Sequence, residues 1–270
     1  MRSILLHANS DPDFEDRFQV ALDICRTFDA HLTVVQSIAV DIIFGGDLYG
    51  VTTTQLIPVI REQAAQFRDV AEARLAGEDV RWNWVEETGL VDNNILRYAA
   101  LSDLVILGSH DPDRKSHAPS SLVDRLAIEC KVPILVVPDR MRAIDFGKAA
   151  VIGWNGSVEA SRAVRGAMPL LKRSSAVHLV SIGDHDEPRF DLPLIAGAEY
   201  LDRHGVHCEM VELPPGDLPI ARTLLEAARA RDAAYIVMGA YGTSRIVETL
   251  FGGVTRKMLS DPELPIVLAH

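Results

Sequence analysis

The sequence alternates short runs of isoleucine, valine and leucine with longer stretches of helical periodicity, and the whole alternation occurs twice. This pattern is typical of parallel sheets whose strands are connected by helices. In the first copy the predicted strands are Ser3–His7, His31–Ile38, Val80–Val85, Leu104–Leu107 and Pro133–Val137, and the predicted helices are Asp11–Phe28, Gln55–Leu75, Asp92–Ala100 and Ser120–Glu129. The order β-α-β-α-β-α-β-α-β predicts an α/β unit with five strands.

The second copy repeats this order. Its predicted strands are Ala149–Trp154, Val177–Ile182, His207–Leu213, Ala233–Met238 and Pro265–Leu268, and its predicted helices are Ser157–Leu171, Leu192–His204, Leu218–Arg229 and Gly252–Leu259. Paired landmarks support a duplication, since Asn9 corresponds to Asn155 and Gly108 to Gly239. We predict two tandem domains, residues 1–140 and 147–270, joined by a polar stretch after Pro138. The first copy is longer, and we assign the excess to segment 41–54, as a lid over its own domain or a partner surface.

Charge and composition exclude several classes of function. The 38 acidic and 27 basic side chains leave a net charge of −11 at pH 7, which opposes general binding to nucleic-acid backbones. The three cysteines are far apart, which disfavours a disulfide scaffold or a zinc ribbon and fits a reducing compartment. No apolar run approaches the roughly 18–20 residues that span a bilayer, and the first residues lack the pattern of a signal peptide. We therefore expect a cytoplasmic protein that binds neither nucleic acid nor membrane.

The segment from Met238 to Thr255 is rich in glycine and connects a buried strand to a helix. Gly239 and Gly242 follow the strand, and Gly252 and Gly253 precede the helix. Glycines allow a close approach to the backbone, and N–H groups at a helix start favour anions. The same glycines also suit a tight turn and a helix start without any ligand. The spacing matches neither the P-loop nor the dinucleotide-binding fingerprint.

This segment resembles the glycine motif of the universal stress protein family: Gly239 and Gly242 are followed, after nine residues, by Gly252, Gly253, Val254 and Thr255. The duplication resembles the tandem form of that family. The resemblance implies two flavodoxin-like, HUP-type domains, each a five-stranded parallel sheet of order 3-2-1-4-5 with helices on both faces. It also implies that the fifth strands meet between the halves, as in an intramolecular pseudo-dimer. Whether two chains then associate as a homodimer stays open.

In function, the resemblance implies a stress-response regulator or sensor that binds an adenine nucleotide, mainly in the second domain. The expected ligand is ATP, with ADP and AMP as alternatives and Mg²⁺ accompanying a triphosphate, and a protein partner remains to be identified. The predicted site residues are Asn155, Ile182, Met238, Gly239, Gly242, Arg245, Gly252, Gly253, Val254 and Thr255.

The sequence departs from the family pattern in both halves. Asn155 stands where an aspartate is usual, and Gly253 stands where a serine or threonine is usual. In the first half, the loop after Gly108 lacks the second glycine and contains Asp111 and Asp113 instead. Ser120, which follows this loop, is predicted to cap a helix. We therefore expect a degenerate nucleotide motif in the first half.

Two other functions remain open. With degenerate loops in both halves, the chain would be a nucleotide-free interaction scaffold, and with slow turnover of bound ATP it would be a weak ATPase. No nucleophile elbow or catalytic triad is suggested by spacing, so no catalytic residue is assigned. No metal ligands are assigned either, since His207 and Cys208 would point to opposite faces of a predicted strand. Trp154 fits either a purine pocket or the core.

Overall fold

The computed structural model describes residues 1–38, 51–110, 120–183, 192–242, 253–260 and 262–270. Within these ranges it has ten strands and eight helices. The strands are β1 (Ser3–Ala8), β2 (His31–Ile38), β3 (Arg81–Thr88), β4 (Leu104–Gly108), β5 (Ile134–Val137), β6 (Ala149–Gly153), β7 (Val177–Ile182), β8 (Cys208–Leu213), β9 (Ala233–Gly239) and β10 (Ile266–Ala269). The helices are α1 (Phe14–Phe28), α2 (Val51–Leu75), α3 (Val91–Ala99), α4 (Ser121–Glu129), α5 (Val158–Leu171), α6 (Leu194–Arg203), α7 (Ile220–Arg229) and α8 (Val254–Ser260).

All ten strands form one sheet, in the order β3-β2-β1-β4-β5-β10-β9-β6-β7-β8. Each half therefore has the order 3-2-1-4-5, and the pairing within each half is parallel. The prediction of two separate five-stranded sheets is corrected in one detail, because β5 and β10 pair antiparallel, with Val136 opposite Ile266. Both strands are apolar, and their pairing satisfies backbone groups that two separate sheets would leave at unpaired edges.

Apolar side chains cover both faces of this sheet, and helices pack on each. One cluster of buried residues joins the sheet to α1, α2, α5 and α6, and the other joins it to α3, α4, α7 and α8. Both clusters contain residues from both halves, so the core continues across the β5–β10 pair. The predicted helices on both faces are confirmed.

The strand order creates a crevice in the second half. From β6 the chain proceeds through α5 to β7 on one side, while β9 pairs with β6 on the other side. Because β6, β7 and β9 are parallel, their carboxyl ends meet at one edge of the sheet, where open α/β sheets bind ligands. Among the described helices, none combines the length and apolarity needed to cross a membrane.

Candidate nucleotide site

A cavity of about 280 Å³ opens at the carboxyl ends of β6, β7 and β9, between the two layers of helices. We call it the C-terminal pocket. Its lining residues are Gly153, Trp154, Asn155, Ser157, Glu159, Val180, Ile182, Ile220, Leu224, Met238, Gly239, Gly242, Val254 and Thr255. A second cavity, of about 290 Å³, lies beside α7, α8 and the start of β10. The C-terminal pocket is the one at the strand ends, and it combines an apolar wall with polar groups, as small-molecule sites do.

Most of the residues predicted from the sequence meet in this pocket. Those that line it are Asn155, Ile182, Met238, Gly239, Gly242, Val254 and Thr255. Gly253 directly precedes α8 and is not among the lining residues. Arg245 and Gly252 lie outside the described residues. The contacts of all ten with a nucleotide remain predictions.

The turn after β6 is shaped by Asn155. Its Oδ1 accepts hydrogen bonds from the Ser157 backbone N–H, at 3.3 Å, and from Ser157 Oγ, at 2.8 Å. Ser157 Oγ in turn accepts from the Ala160 N–H at 3.1 Å and caps α5. The intervening Gly156 has φ of 76°, which glycine adopts at little cost. Asn155 thus has a local role in starting α5, and only its amide N–H groups are left to reach a ligand.

Gly239 lies directly against the first turn of α5. A Cβ at this position would be 2.6 Å from the Ala160 backbone N and 2.8 Å from the Glu159 carbonyl carbon. Gly242 is less crowded, because its nearest neighbour would be Glu159 Oε2 at 3.4 Å, an ordinary contact. The two glycines of the motif therefore have different reasons to be glycine, since Gly239 allows close packing and Gly242 leaves space beside the pocket.

The turn between these glycines is held from two directions. Tyr241 has φ of 47°, an uncommon conformation for a bulky residue, and its backbone N–H donates to Thr255 Oγ1 at 3.3 Å. The Tyr241 hydroxyl donates to the carboxylate of Asp124, on α4 of the N-terminal half. The buried Thr255 hydroxyl therefore orders the turn, and the tyrosine ties the turn to the other half of the molecule.

The apolar wall of the pocket comes mainly from one helix layer, from β7 and from the residue after β6. Leu224 of α7 and Val180 of β7 lie on one side, and Trp154 follows β6. Trp154 is buried, donates from Nε1 to the Leu192 carbonyl at 3.3 Å, and packs against Gly197 of α6. Trp154 is therefore a core residue whose surface also lines the pocket, and its contact with a purine stays a prediction.

Sequence reasoning missed Glu159, on the first turn of α5. Its side chain lines the pocket, yet the residue is only 8% exposed. Among the described lining residues it is the one charged side chain. Ser157 and Glu159 stand close to Asn155 in the sequence, but an acidic residue in a first helical turn is common because it suits the helix dipole. Nothing in that pattern separates a solvated glutamate from one enclosed in a pocket.

A buried ion pair lies beside the corresponding strand end in the N-terminal half. Arg17 of α1 forms a bidentate pair with Asp11, and these side chains are only 4% and 9% exposed. Arg17 Nε also donates to the His7 carbonyl at 3.3 Å. A Cβ on Gly108, which corresponds to Gly239, would be 3.4 Å from Arg17 Nη1. The guanidinium therefore lies against the end of β4. In the C-terminal half the equivalent strand end, that of β9, borders the pocket.

The predicted helix cap in the N-terminal half is confirmed, since Ser120 Oγ accepts from the Val123 N–H at 3.4 Å. The acidic loop that contains Asp111 and Asp113 lies outside the described residues, as does most of segment 41–54. Elsewhere in the described chain, no group of three or more histidine, cysteine or acidic side chains is arranged to hold a metal ion.

The fold is similar to solved structures of universal stress proteins. One from Archaeoglobus fulgidus is 14% identical with a TM-score of 0.75, and the match covers 99% of this chain and 96% of that one. A protein of Pseudomonas aeruginosa UCBPP-PA14 that is named as a universal stress protein is 17% identical with a TM-score of 0.59, over 100% and 93% of the two chains. In sequence comparisons, no family model and no curated protein matches the chain. The likenesses establish that the chain has the universal stress protein fold in its two-copy form.

Proposed function

We propose that this chain is a stress-response regulatory protein that binds an adenine nucleotide in the C-terminal pocket. One observation supports this above all: predicted site residues from Asn155 to Thr255, which lie far apart in the sequence, line a single cavity. The pocket also lies where open α/β sheets bind their ligands.

The chemistry of the pocket fits a nucleoside. The side chains of Trp154, Val180 and Leu224 offer an apolar wall for the faces of a purine base. The turn at Gly239–Gly242 and the residues before α8 would take the sugar and the phosphates. At about 280 Å³ the cavity is slightly smaller than most small-molecule sites, so the phosphates of a bound nucleotide would extend towards the rim. A triphosphate would bring Mg²⁺, which is held mainly by phosphate oxygens and water.

A regulatory role follows from the way in which the turn is anchored. A ligand that contacts Gly242 and Thr255 would favour one arrangement of the turn that Tyr241 holds. Because Tyr241 is hydrogen-bonded to Asp124, the favoured arrangement would extend to α4 of the other half. Such a ligand acts by shifting the population of conformations, and a partner protein would read the difference at the surface.

We further propose that one nucleotide binds per chain, because the buried Arg17–Asp11 ion pair lies against Gly108, the glycine of the N-terminal half that corresponds to Gly239. The test is to denature freshly purified protein, identify the released small molecules by mass spectrometry, and titrate the empty protein with ATP, ADP and AMP by calorimetry. About one adenylate per chain is expected, and about two would refute the single site. If no adenylate is recovered and none binds, with or without Mg²⁺, the nucleotide-free scaffold becomes the better proposal.

A further inference from the structure

Glu159 places a carboxylate at the wall of the pocket. The residue is more than nine-tenths buried, and it lies on α5, where Ser157 caps the helix with its side chain. Its Oε2 lies on the side of Gly242, at 3.4 Å from where a Cβ of that glycine would be. No hydrogen bond or ion pair joins this carboxylate to another group in the described part of the chain.

The carboxylate of this almost enclosed residue faces a cavity, and a ligand there that donates hydrogen bonds to it would form charge-assisted bonds, which are stronger than neutral ones. The cavity provides the space for such a ligand, and the lining side chains around Glu159 are neutral. Phosphate groups carry negative charge, so they are repelled by a carboxylate at close range. Sugar hydroxyls, in contrast, donate hydrogen bonds, and two vicinal hydroxyls match the two oxygens of one carboxylate.

We propose that Glu159 determines the specificity of the C-terminal pocket by accepting hydrogen bonds from the vicinal 2′- and 3′-hydroxyls of a ribose. This rests on the proposed function, and it selects ribonucleosides and their phosphates over deoxy and dideoxy analogues. It also orients the ligand, because a ribose beside Glu159 places the phosphates away from the carboxylate, towards Gly253 and Thr255.

The first experiment uses the native protein and two ligands without phosphates. Calorimetric titration with adenosine and with 2′,3′-dideoxyadenosine compares the same base with and without the two hydroxyls. We expect adenosine to bind at least about tenfold more tightly, the difference that a hydrogen bond to a charged group typically makes. Equal affinities would overturn the role of Glu159, whereas the absence of binding by adenosine, AMP and ATP would overturn the proposed function itself.

The second experiment tests whether the discrimination comes from this carboxylate. Glu159→Gln keeps the shape and removes the charge, and Glu199→Gln, on the exposed surface of α6, is the matched control. We expect the adenosine preference to fall about tenfold in Glu159→Gln and to be unchanged in the control, with circular dichroism showing both variants folded. A preference that survives in Glu159→Gln refutes the proposal.

A divalent cation is the competing occupant of this carboxylate. If Glu159 held Mg²⁺, the native protein would bind ATP more tightly with Mg²⁺ than with a chelator, and Glu159→Gln would lose that difference while keeping its preference for adenosine. That combination would also overturn the ribose assignment.

Discussion

Replacement of Gly239 by alanine should destabilise the protein, whereas the same replacement of Gly242 should leave its stability almost unchanged. The added Cβ at position 239 would be 2.6 Å from a backbone nitrogen and 2.8 Å from a carbonyl carbon, both in the first turn of α5. These atoms belong to a packed helix and cannot move away alone. At position 242 the nearest atom is at 3.4 Å, and neither glycine is among those with a positive φ.

The magnitude follows from what has to shift. To admit the methyl group, α5 must move away from β9, an overpacking that costs about 1–3 kcal/mol. The movement also disturbs the Ser157 cap, and loss of a cap costs about 1 kcal/mol. We therefore expect Gly239→Ala to lower the free energy of unfolding by about 2–4 kcal/mol, with a melting temperature lower by roughly 5–10 °C.

Urea unfolding followed by circular dichroism measures the stability of both variants. Gly242→Ala should unfold within about 0.5 kcal/mol of the native protein, as surface substitutions usually do. Its methyl group would nevertheless enter the pocket beside Glu159, so adenosine and AMP should bind about 5- to 30-fold more weakly, which corresponds to 1–2 kcal/mol. If Gly239→Ala were as stable as the native protein, the argument that β9 packs too closely on α5 to admit a methyl group would be refuted. If Gly242→Ala bound ligand normally, the ligand would not occupy this part of the pocket.

Three further predictions concern groups other than the two glycines. Tyr241→Phe removes the hydrogen bond to Asp124 and should weaken ligand binding several-fold by calorimetry, whereas Tyr98→Phe, which removes a tyrosine–carboxylate bond within the N-terminal half, should not. Asp11→Asn leaves its buried arginine partner uncompensated and should cost about 3–5 kcal/mol in urea unfolding, and a loss below about 1 kcal/mol would mean that the pair is solvated. Burial and three neighbouring carboxylates raise the pKa of Asp13 above its ordinary 3.8, so the folded protein holds this proton more tightly than the unfolded chain does. The protonated Asp13 carboxyl therefore stabilises the fold at low pH, and this contribution is lost as the pH rises from 3.8 through the raised pKa of the folded protein. Because asparagine carries no charge at any pH, Asp13→Asn should raise the melting temperature at pH 7 but not at pH 3.

The order of helices and strands was predictable because it depends on local patterns. Each strand is a short run of apolar residues, and each helix repeats its apolar residues at helical spacing. The bounds of β2 and β7 are as predicted, and those of the other elements differ by a few residues at most. His207, expected within a strand, lies just before β8, because a single residue at a strand end adds little to a pattern of period two.

Much of the candidate site was also visible in the sequence. The glycines at 239 and 242, with Val254 and Thr255, lie within one segment, so their spacing carries a signal without any knowledge of the fold. Asn155 was found through the resemblance to the family, because it stands where the family has an aspartate, just after a predicted strand. In parallel sheets the carboxyl ends of strands share one edge, so these two signals pointed to the same region.

The features that make this pocket particular were decided by tertiary structure. The sequence alone does not separate a buried Glu159 from an exposed one, because burial depends on where β9 packs against α5. The pairing of β5 with β10, and the bond from Tyr241 to Asp124, join residues more than 100 positions apart. Contacts between residues so far apart produce no periodic pattern of apolar residues in the sequence. The sequence by itself determined the two copies, their elements and the glycine motif. Only the tertiary packing decided that the two halves share one sheet, that an ion pair lies at the corresponding strand end of the first half, and which carboxylate faces the C-terminal pocket.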